Sequence, residues 1–586
     1  MISTWSGTLP NRTTMTPEAA QPPASTPPPW IASYPPEIDW YMPISTGPVP
    51  DLLERAARRF PRNTAISFLG RATTYADLAA EVDRVTAGLQ QMGIGRGTKV
   101  GLFLPNTPTF IVYYYAILKA GGTVVNFNPL YTLEELTFQT NDSETEVMVT
   151  HDLTALFPKL EELMVRGVIR RTIVVPFRSV LPPLKGLLFS IFKRSEIADV
   201  ARSRAADKVV DGAKLAATRE APAPVQIDAK EDVAVLQYTG GTTGTPKGAM
   251  LTHANLTANT AQIMAWGVNL KPGEESILGA LPLFHVFAMT VVMNMAIELA
   301  AKIILIPRFK LIDALKLIDR EKPTVLPAVP TIFTAMLHYP DFKSYDVSSL
   351  RFCLSGGAPL PHEIKLQFEA VSGSKVVEGY GLSEASPVLT CNPVHMDPVA
   401  GSIGPPLPGT IISLRDLDDP TKEVLQGERG ELCAKGPQIM KGYWKKPAET
   451  EKQFVDGFLR TGDVAIMDKN GYFSIVDRIK DLIICSGYNV YPRRIEEAIY
   501  EHPAVEEVTV IGIPDAYRGE APKAFIKLKT GMTATAADIL KHLEPKISKI
   551  EMPAEIEFRD SLPKTMIGKL SKKELAAEEA KHGKQA

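Results

Sequence analysis

From Asp51 onward the chain alternates between two periods of hydrophobic and polar residues. Leu52, Leu53 and Ala56 open a helical period. The spacing then predicts helices over 75–92 and 109–120 and strands over 99–104 and 124–126. This alternation persists through most of the chain and predicts parallel sheets covered by helices. Residues 1–45 are rich in Pro, Ser and Thr, carry no period, and read as a disordered or loosely docked arm. After about Lys480 the texture changes. An apolar run at 508–513, a turn over 514–520, a period-two stretch from Lys523 and a helix from about Ala536 predict a small α+β unit. The pattern therefore divides an α/β protein into a large domain over 46–479 and a small C-terminal domain over 480–586, joined by a hinge at 478–481. The longest apolar stretch, 289–307, is broken by Asn294, Glu298 and Lys302, and predicts a buried helix running into a strand rather than a membrane span.

Composition narrows the class. Of 586 residues, 45% are hydrophobic and 22% charged, which excludes a largely disordered or membrane-embedded chain. The net charge of -2 provides no global field for nucleic acid, so none is expected as a partner. Cys353, Cys391, Cys433 and Cys485 form neither a disulfide framework nor a zinc pair. With no secretory signal at the N-terminus, a cytoplasmic protein is expected. The stretch 184–194 is apolar and basic. It reads either as a contact with a membrane surface or a partner, or as a short helix capping a groove. The membrane alternative would put the protein on the inner face of the membrane as a peripheral contact. A monomer and a homodimer are both compatible with the sequence.

The sharpest segment is Ala234-Val-Leu-Gln-Tyr238-Thr-Gly-Gly-Thr-Thr-Gly-Thr-Pro-Lys-Gly248, a strand entering a loop of Gly and Thr, with a helix from about Thr252. Glycines let backbone N–H groups converge on an anion, hydroxyls add donors, and Lys247 adds a point charge. The loop suits nucleotide phosphates. It is not a Walker A loop, because Pro246 and Gly248 stand where that pattern needs Gly and Ser or Thr.

This segment closely resembles the phosphate-loop signature of the adenylate-forming superfamily of acyl-CoA synthetases, peptide-synthetase adenylation domains and luciferases. The resemblance covers roughly residues 50–575. The wording is most similar to bacterial long-chain fatty-acid CoA ligases at Asn128-Pro-Leu-Tyr-Thr132, Pro282-Leu-Phe-His-Val-Phe287, Val377-Glu-Gly-Tyr-Gly-Leu-Ser-Glu384 and Asp456-Gly-Phe-Leu-Arg-Thr-Gly-Asp463. It implies a small barrel-like region in the large domain, and a site for ATP, Mg²⁺, CoA and a fatty acid.

Carried over residue by residue, ATP would be held by Thr239, Gly240, Gly241, Thr242, Thr243, Gly244 and Thr245, and by the adenine turn Gly357, Ala358 and Pro359. Gly379, Tyr380, Gly381 and Ser383 would complete the base pocket, with Asp463 and Arg478 at the ribose. Glu384, with Thr239, would hold Mg²⁺, for which a carboxylate is a suitable hard ligand. Lys247 and Lys569 would stabilise developing charge, and His285 would sit at the carboxylate end of the acyl pocket. Lys480 takes the hinge position and Gly487 the pantetheine tunnel. Independently of resemblance, the gap between Asp463 and Arg478, spanned by the turn Lys469-Asn-Gly-Tyr, predicts a hairpin that brings them together.

The expected reaction turns a long-chain fatty acid into its CoA thioester through an acyl-adenylate, releasing AMP and pyrophosphate. Ligases for medium-chain, aryl or dicarboxylic acids, and enzymes that deliver to a separate carrier protein, share the same motifs. A lipid-binding protein that merely kept the fold would be expected to lack Lys569, Glu384 or Asp463, and all three are present.

Overall fold

The computed structural model describes residues 27–239, 245–394, 396, 399, 401–486, 488–515, 517–565 and 568–582. Two sheets form the body of the large domain. One has seven strands, in the spatial order 209–211, 171–175, 147–151, 99–102, 123–126, 233–239 and 247–252. The other has eight, in the order 388–391, 375–381, 352–356, 325–328, 276–279, 302–305, 64–68 and 71–74. Neighbouring strands run parallel except at the hairpins on the edges. Strands such as Val147–His151 are buried at every position, the continuous apolar reading that helix-covered parallel strands require.

The helices match their period. Tyr75–Gln91 starts where the Thr74 side chain accepts from the Asp77 amide, and buries Leu78, Val82, Val85 and Leu89. Pro108–Lys119 is buried from Thr109 to Leu118, including three consecutive tyrosines, so it serves as core on all sides. The apolar stretch 289–307 becomes a π-helix, Ala288–Asn294, a short α-helix, Met295–Glu298, and the strand Lys302–Leu305. Among the described residues no helix is long and apolar enough to cross a membrane. All four cysteines are free and buried.

A five-stranded antiparallel sheet over 411–478 completes the large domain. The part of the N-terminal arm that is described packs against it and against the helix His253–Trp266. Trp30 is buried against Phe473 at 6.1 Å, Tyr34 meets Trp266 edge-on at 5.1 Å, and Ser33 Oγ donates to the Asn470 carbonyl at 2.7 Å. Composition pointed to a loose arm here. Three aromatics, Trp30, Tyr34 and Trp40, supply the apolar area that the Pro, Ser and Thr count conceals.

The smaller C-terminal domain has its own five-stranded sheet, in which Val505–Asp515 and Gly519–Leu528 pair along their full length. The helices Pro492–Tyr500 and Ala536–Leu543 cover it around a separate apolar core that includes Ile495, Ile499, Val508, Ile526 and Ile539.

Candidate active site

The phosphate-loop segment is built as a β-hairpin. The strand Val233–Thr239 returns as Lys247–Thr252, with Thr239 opposite Lys247. The helix His253–Trp266 follows, its N-terminus closed by a reciprocal capping box between Thr252 and Asn255. The sequence pattern predicts the first strand and the helix but no strand over 247–252. Gly240, Gly241, Thr242, Thr243 and Gly244 lie outside the described residues. Thr245 is exposed and Thr239 half-buried.

Residues 440–444 run beside the second strand: the Met250 amide donates to the Gly442 carbonyl and the Trp444 amide to the Gly248 carbonyl, each at 2.8 Å. This pairing brings the Tyr443 ring to 4.6 Å from Lys247 Nζ, which also lies 3.1 Å from Glu449 Oε2. The Tyr443 hydroxyl donates to Glu384 Oε1 at 2.8 Å. Glu384 is buried in the turn Ser383–Ala385, beside the strand that ends in Thr239. Burial pushes its carboxyl up, while the Tyr443 hydroxyl and, further off, Lys247 and Arg478 favour the charged form. A buried carboxylate beside the Lys247 hairpin gains most from a hard divalent cation, so the residues present fit Mg²⁺.

The second cluster is set by strand register. On the antiparallel strands Phe458–Met467 and Phe473–Arg478, Asp463 faces Arg478 directly, and Arg478 Nε lies 3.0 Å from Asp463 Oδ1. The Tyr380 hydroxyl, on the strand Lys375–Gly381, donates to Asp463 Oδ2 at 2.6 Å. Gly379 pairs with Gly356 of the neighbouring parallel strand, and Gly381 approaches the Pro387 carbonyl too closely for a Cβ. The turn Gly357, Ala358, Pro359 leaves the strand Phe352–Gly356, with Gly357 at φ +84°. Next to it the Ser355 hydroxyl is buried without a partner among the described residues.

The C-terminal domain reaches into this cluster. A Cβ on Gly357 would lie 2.9 Å from Lys569 Cε, and the loop before Lys569 rests on Thr331 through Gly568. Burial and the Arg478 guanidinium lower the Lys569 ammonium to about 8, against the pull of Asp463. His285, half-buried before the π-helix Ala288–Asn294, is lowered to about 3 by burial and by Lys569. Its imidazole is therefore neutral across the physiological range. Gln237 Nε2 anchors this segment by donating to the Phe284 carbonyl at 3.1 Å, and the Phe287 ring packs against Gly356.

Lys480 lies in the 3₁₀ turn Ile479–Asp481 between the domains. Gly487 lies outside the described residues. The structure thus gathers Asp463, Arg478, Tyr380, Gly357 and Lys569 in one place, with His285 adjoining and Lys247, Glu384 and Thr239 in a neighbouring cluster.

Sequence reading missed three residues. Tyr443 and Glu449 flank Lys247, and the only sequence signal was the aromatic pair Tyr443-Trp444 following a glycine. The third is Asp477, whose Oδ1 accepts the Arg478 amide at 2.8 Å and whose Oδ2 accepts the Arg493 amide at 2.9 Å, at the first turn of the helix Pro492–Tyr500. Arg493 Nη1 in return donates to the Ile475 carbonyl at 2.7 Å. These contacts clasp the two domains together.

An α/β chain with a large and a small domain, in which a lysine of the small domain lies against a glycine turn of the large one beside an Asp–Arg pair, defines a class, and family comparison agrees. Residues 53–444 match the family of AMP-binding enzymes and 494–569 match the AMP-binding enzyme C-terminal domain, so the chain belongs to the AMP-binding enzyme family. Within it, the chain is 43% identical over 556 residues to a long-chain-fatty-acid–CoA ligase of Bacillus subtilis (strain 168), covering 94% of this chain and 98% of that protein. It is 36% identical over 561 residues to the enzyme of the same name from Escherichia coli O157:H7, at the same coverage. Among solved structures, ATP-bound MatB from Rhodopseudomonas palustris is 30% identical with a TM-score of 0.77, covering 90% of this chain and 98% of that one. An anthranilate CoA ligase in complex with anthranoyl-AMP is 26% identical, also with a TM-score of 0.77, covering 93% and 99%.

Proposed function

We propose that the protein joins a long-chain fatty acid to the thiol of CoA at the expense of ATP, through an acyl-adenylate. The observation that carries this reading is the placement of Lys569 over the Gly357 turn, beside the Asp463–Arg478 pair. An ammonium there faces the site where a carboxylate oxygen attacks the α-phosphorus and the bond to the departing pyrophosphate breaks. Asp463 accepts from the ribose hydroxyls, Tyr380 offers its ring to the base, and the Gly357–Pro359 turn runs along it. The hairpin around Lys247 binds the β- and γ-phosphates. Glu384, with Thr239, would hold Mg²⁺, which when bound offsets phosphate charge.

His285 contributes to the acyl pocket, where its imidazole meets the carboxylate or gates the entrance. In the second half-reaction the CoA sulfur attacks the acyl carbonyl, the bond to AMP breaks, and the thiol proton passes to solvent. Lys569 has no task there. The small domain, over 480–586, rotates about Lys480 and releases the clasp at Asp477, which opens a route past Gly487 for pantetheine. The long acyl chain as substrate is supported by the relatives named above. A cytoplasmic location with reversible contact at the inner membrane face suits a protein whose substrate partitions into lipid.

The reading is tested by mixing the protein with ATP, palmitate and CoA. AMP and palmitoyl-CoA appearing together in equal amounts is the expected result. Palmitate binding without AMP release would instead favour a lipid-binding protein.

A further inference from the structure

The helix Pro183–Phe192 exposes five large apolar side chains: Leu184 at 69%, Leu187 at 59%, Leu188 at 42%, Ile191 at 60% and Phe192 at 76%. Single exposed apolar residues are ordinary, but five within ten residues need an explanation. Their spacing of three and four puts them on one face. The opposite face does the folding. Gly186 is buried against the Arg178 carbonyl, Phe189 packs on Phe177 with ring centroids 5.2 Å apart, and Ser190 Oγ bonds the Gly186 carbonyl at 3.0 Å. Lys185 Nζ ties the helix to the Leu69 carbonyl at 2.7 Å. The helix is thus already secured, and its outward face contributes nothing to the fold.

Charge identifies what that face meets. Between Phe177 and Ser195 the charged residues are Arg178, Lys185, Lys193 and Arg194, with no acid among them. All four are exposed, and among the described residues Glu196, just beyond, pairs with Lys193 alone. An apolar ridge rimmed by cations matches the boundary of an anionic bilayer, where the side chains enter the acyl region and the ammonium and guanidinium groups meet headgroup phosphates. A second copy of the same helix would set cations against cations. We infer that the helix Pro183–Phe192 is the element by which this protein lies on an anionic lipid surface.

The helix is also connected to the acyl end of the site. Phe177 stacks edge-on against His151 at 5.3 Å, His151 Nε2 lies 3.0 Å from Thr107 Oγ1, and the neighbouring Asn106 accepts from the Leu283 amide at 2.8 Å. Leu283 belongs to the loop that carries His285.

The test is co-sedimentation of the full chain with two kinds of vesicle: phosphatidylethanolamine mixed with phosphatidylglycerol, and phosphatidylcholine alone. The protein should sediment with the first and much less with the second. Leu187→Ser/Phe192→Ser should weaken partition at least about tenfold, and Lys193→Glu/Arg194→Glu several-fold and in a salt-dependent way. Melting temperatures should stay unchanged, since neither pair contributes to packing. Absence of sedimentation with anionic vesicles would overturn the inference. So would equal partition of the Leu187→Ser/Phe192→Ser protein. A dimer in light scattering that this variant converts to monomer, without lipid binding, would reassign the face to a second copy and also overturn it. Vesicle binding requires no substrate, so its failure leaves the ligase reading standing.

Discussion

Lys569 of the small domain lies against Gly357 of the large one, so closely that a Cβ on the glycine would sit 2.9 Å from Lys569 Cε. Gly357 also has φ +84°, a conformation that costs a side-chain-bearing residue roughly 1–2 kcal/mol. Gly357→Ala therefore acts twice: it strains the Gly357–Pro359 turn and displaces the ammonium. Adenylation, followed as acid-dependent exchange of pyrophosphate into ATP, should fall by at least about tenfold. Thioester formation from supplied acyl-adenylate should fall less.

The lowered ammonium of Lys569 predicts a pH profile. The charged form is the useful one, and burial with Arg478 nearby brings its loss down from the usual lysine range to about 8. The adenylation kcat/KM, which reports the free enzyme, should thus decline as pH rises through about 8. Bound triphosphate favours the charged ammonium, so the decline in kcat should appear at higher pH. Lys569→Arg should remove the decline from both profiles, whatever its effect on rate, because a guanidinium keeps its charge throughout this range.

Asp463 is fixed by Arg478 on one oxygen and by Tyr380 on the other. Asp463→Asn keeps the shape but loses the charge and turns a donor toward Arg478 or Tyr380. The KM for ATP should rise about 10- to 100-fold, consistent with about 1.5–3 kcal/mol for a charge-assisted hydrogen bond. Tyr380→Phe, which removes only one hydrogen bond, should raise it less. An unchanged KM for ATP in Asp463→Asn would place the ribose elsewhere.

Tyr443 joins two charged groups, bonding Glu384 through its hydroxyl and lying under Lys247 with its ring. Tyr443→Phe removes only the hydroxyl. The Mg²⁺ concentration for half-maximal adenylation should rise several-fold, with the rate at saturating Mg²⁺ nearly preserved. Tyr443→Leu, which also removes the ring, should in addition weaken ATP binding.

The Asp477 carboxylate accepts the Arg493 amide at the start of the helix Pro492–Tyr500, a contact that the proposed domain rotation would break. Asp477→Ala removes a cap worth about 1 kcal/mol. If opening limits the second half-reaction, thiolation should quicken about fivefold while pyrophosphate exchange slows. Slowing of both alike would show that Asp477 serves the fold rather than the clasp.

Much of this was legible in the sequence because it depends on local pattern. The alternation of periods gave the helix-covered sheets, and the turn at 469–472 correctly brought Asp463 opposite Arg478. What stayed hidden depends on contacts between distant segments. No period in Lys247–Thr252 reveals that it returns along Val233–Thr239, since that pairing is settled by the sheet it joins. The π-helix at 288–294 has the same apolar composition as an ordinary buried helix. Tyr443 and Asp477 gain their meaning only from Glu384 and Arg493, 59 and 16 residues away. Docking of the arm rests on three aromatics whose partners lie hundreds of residues further along.

The division of labour between the two half-reactions is tested most directly with Lys569→Ala. The account predicts that acid-dependent pyrophosphate exchange falls by about a hundredfold or more, while thioester formation from supplied palmitoyl-adenylate and CoA stays within a few-fold of the unmodified protein. Equal loss in both half-reactions, or exchange that survives the substitution, would contradict it.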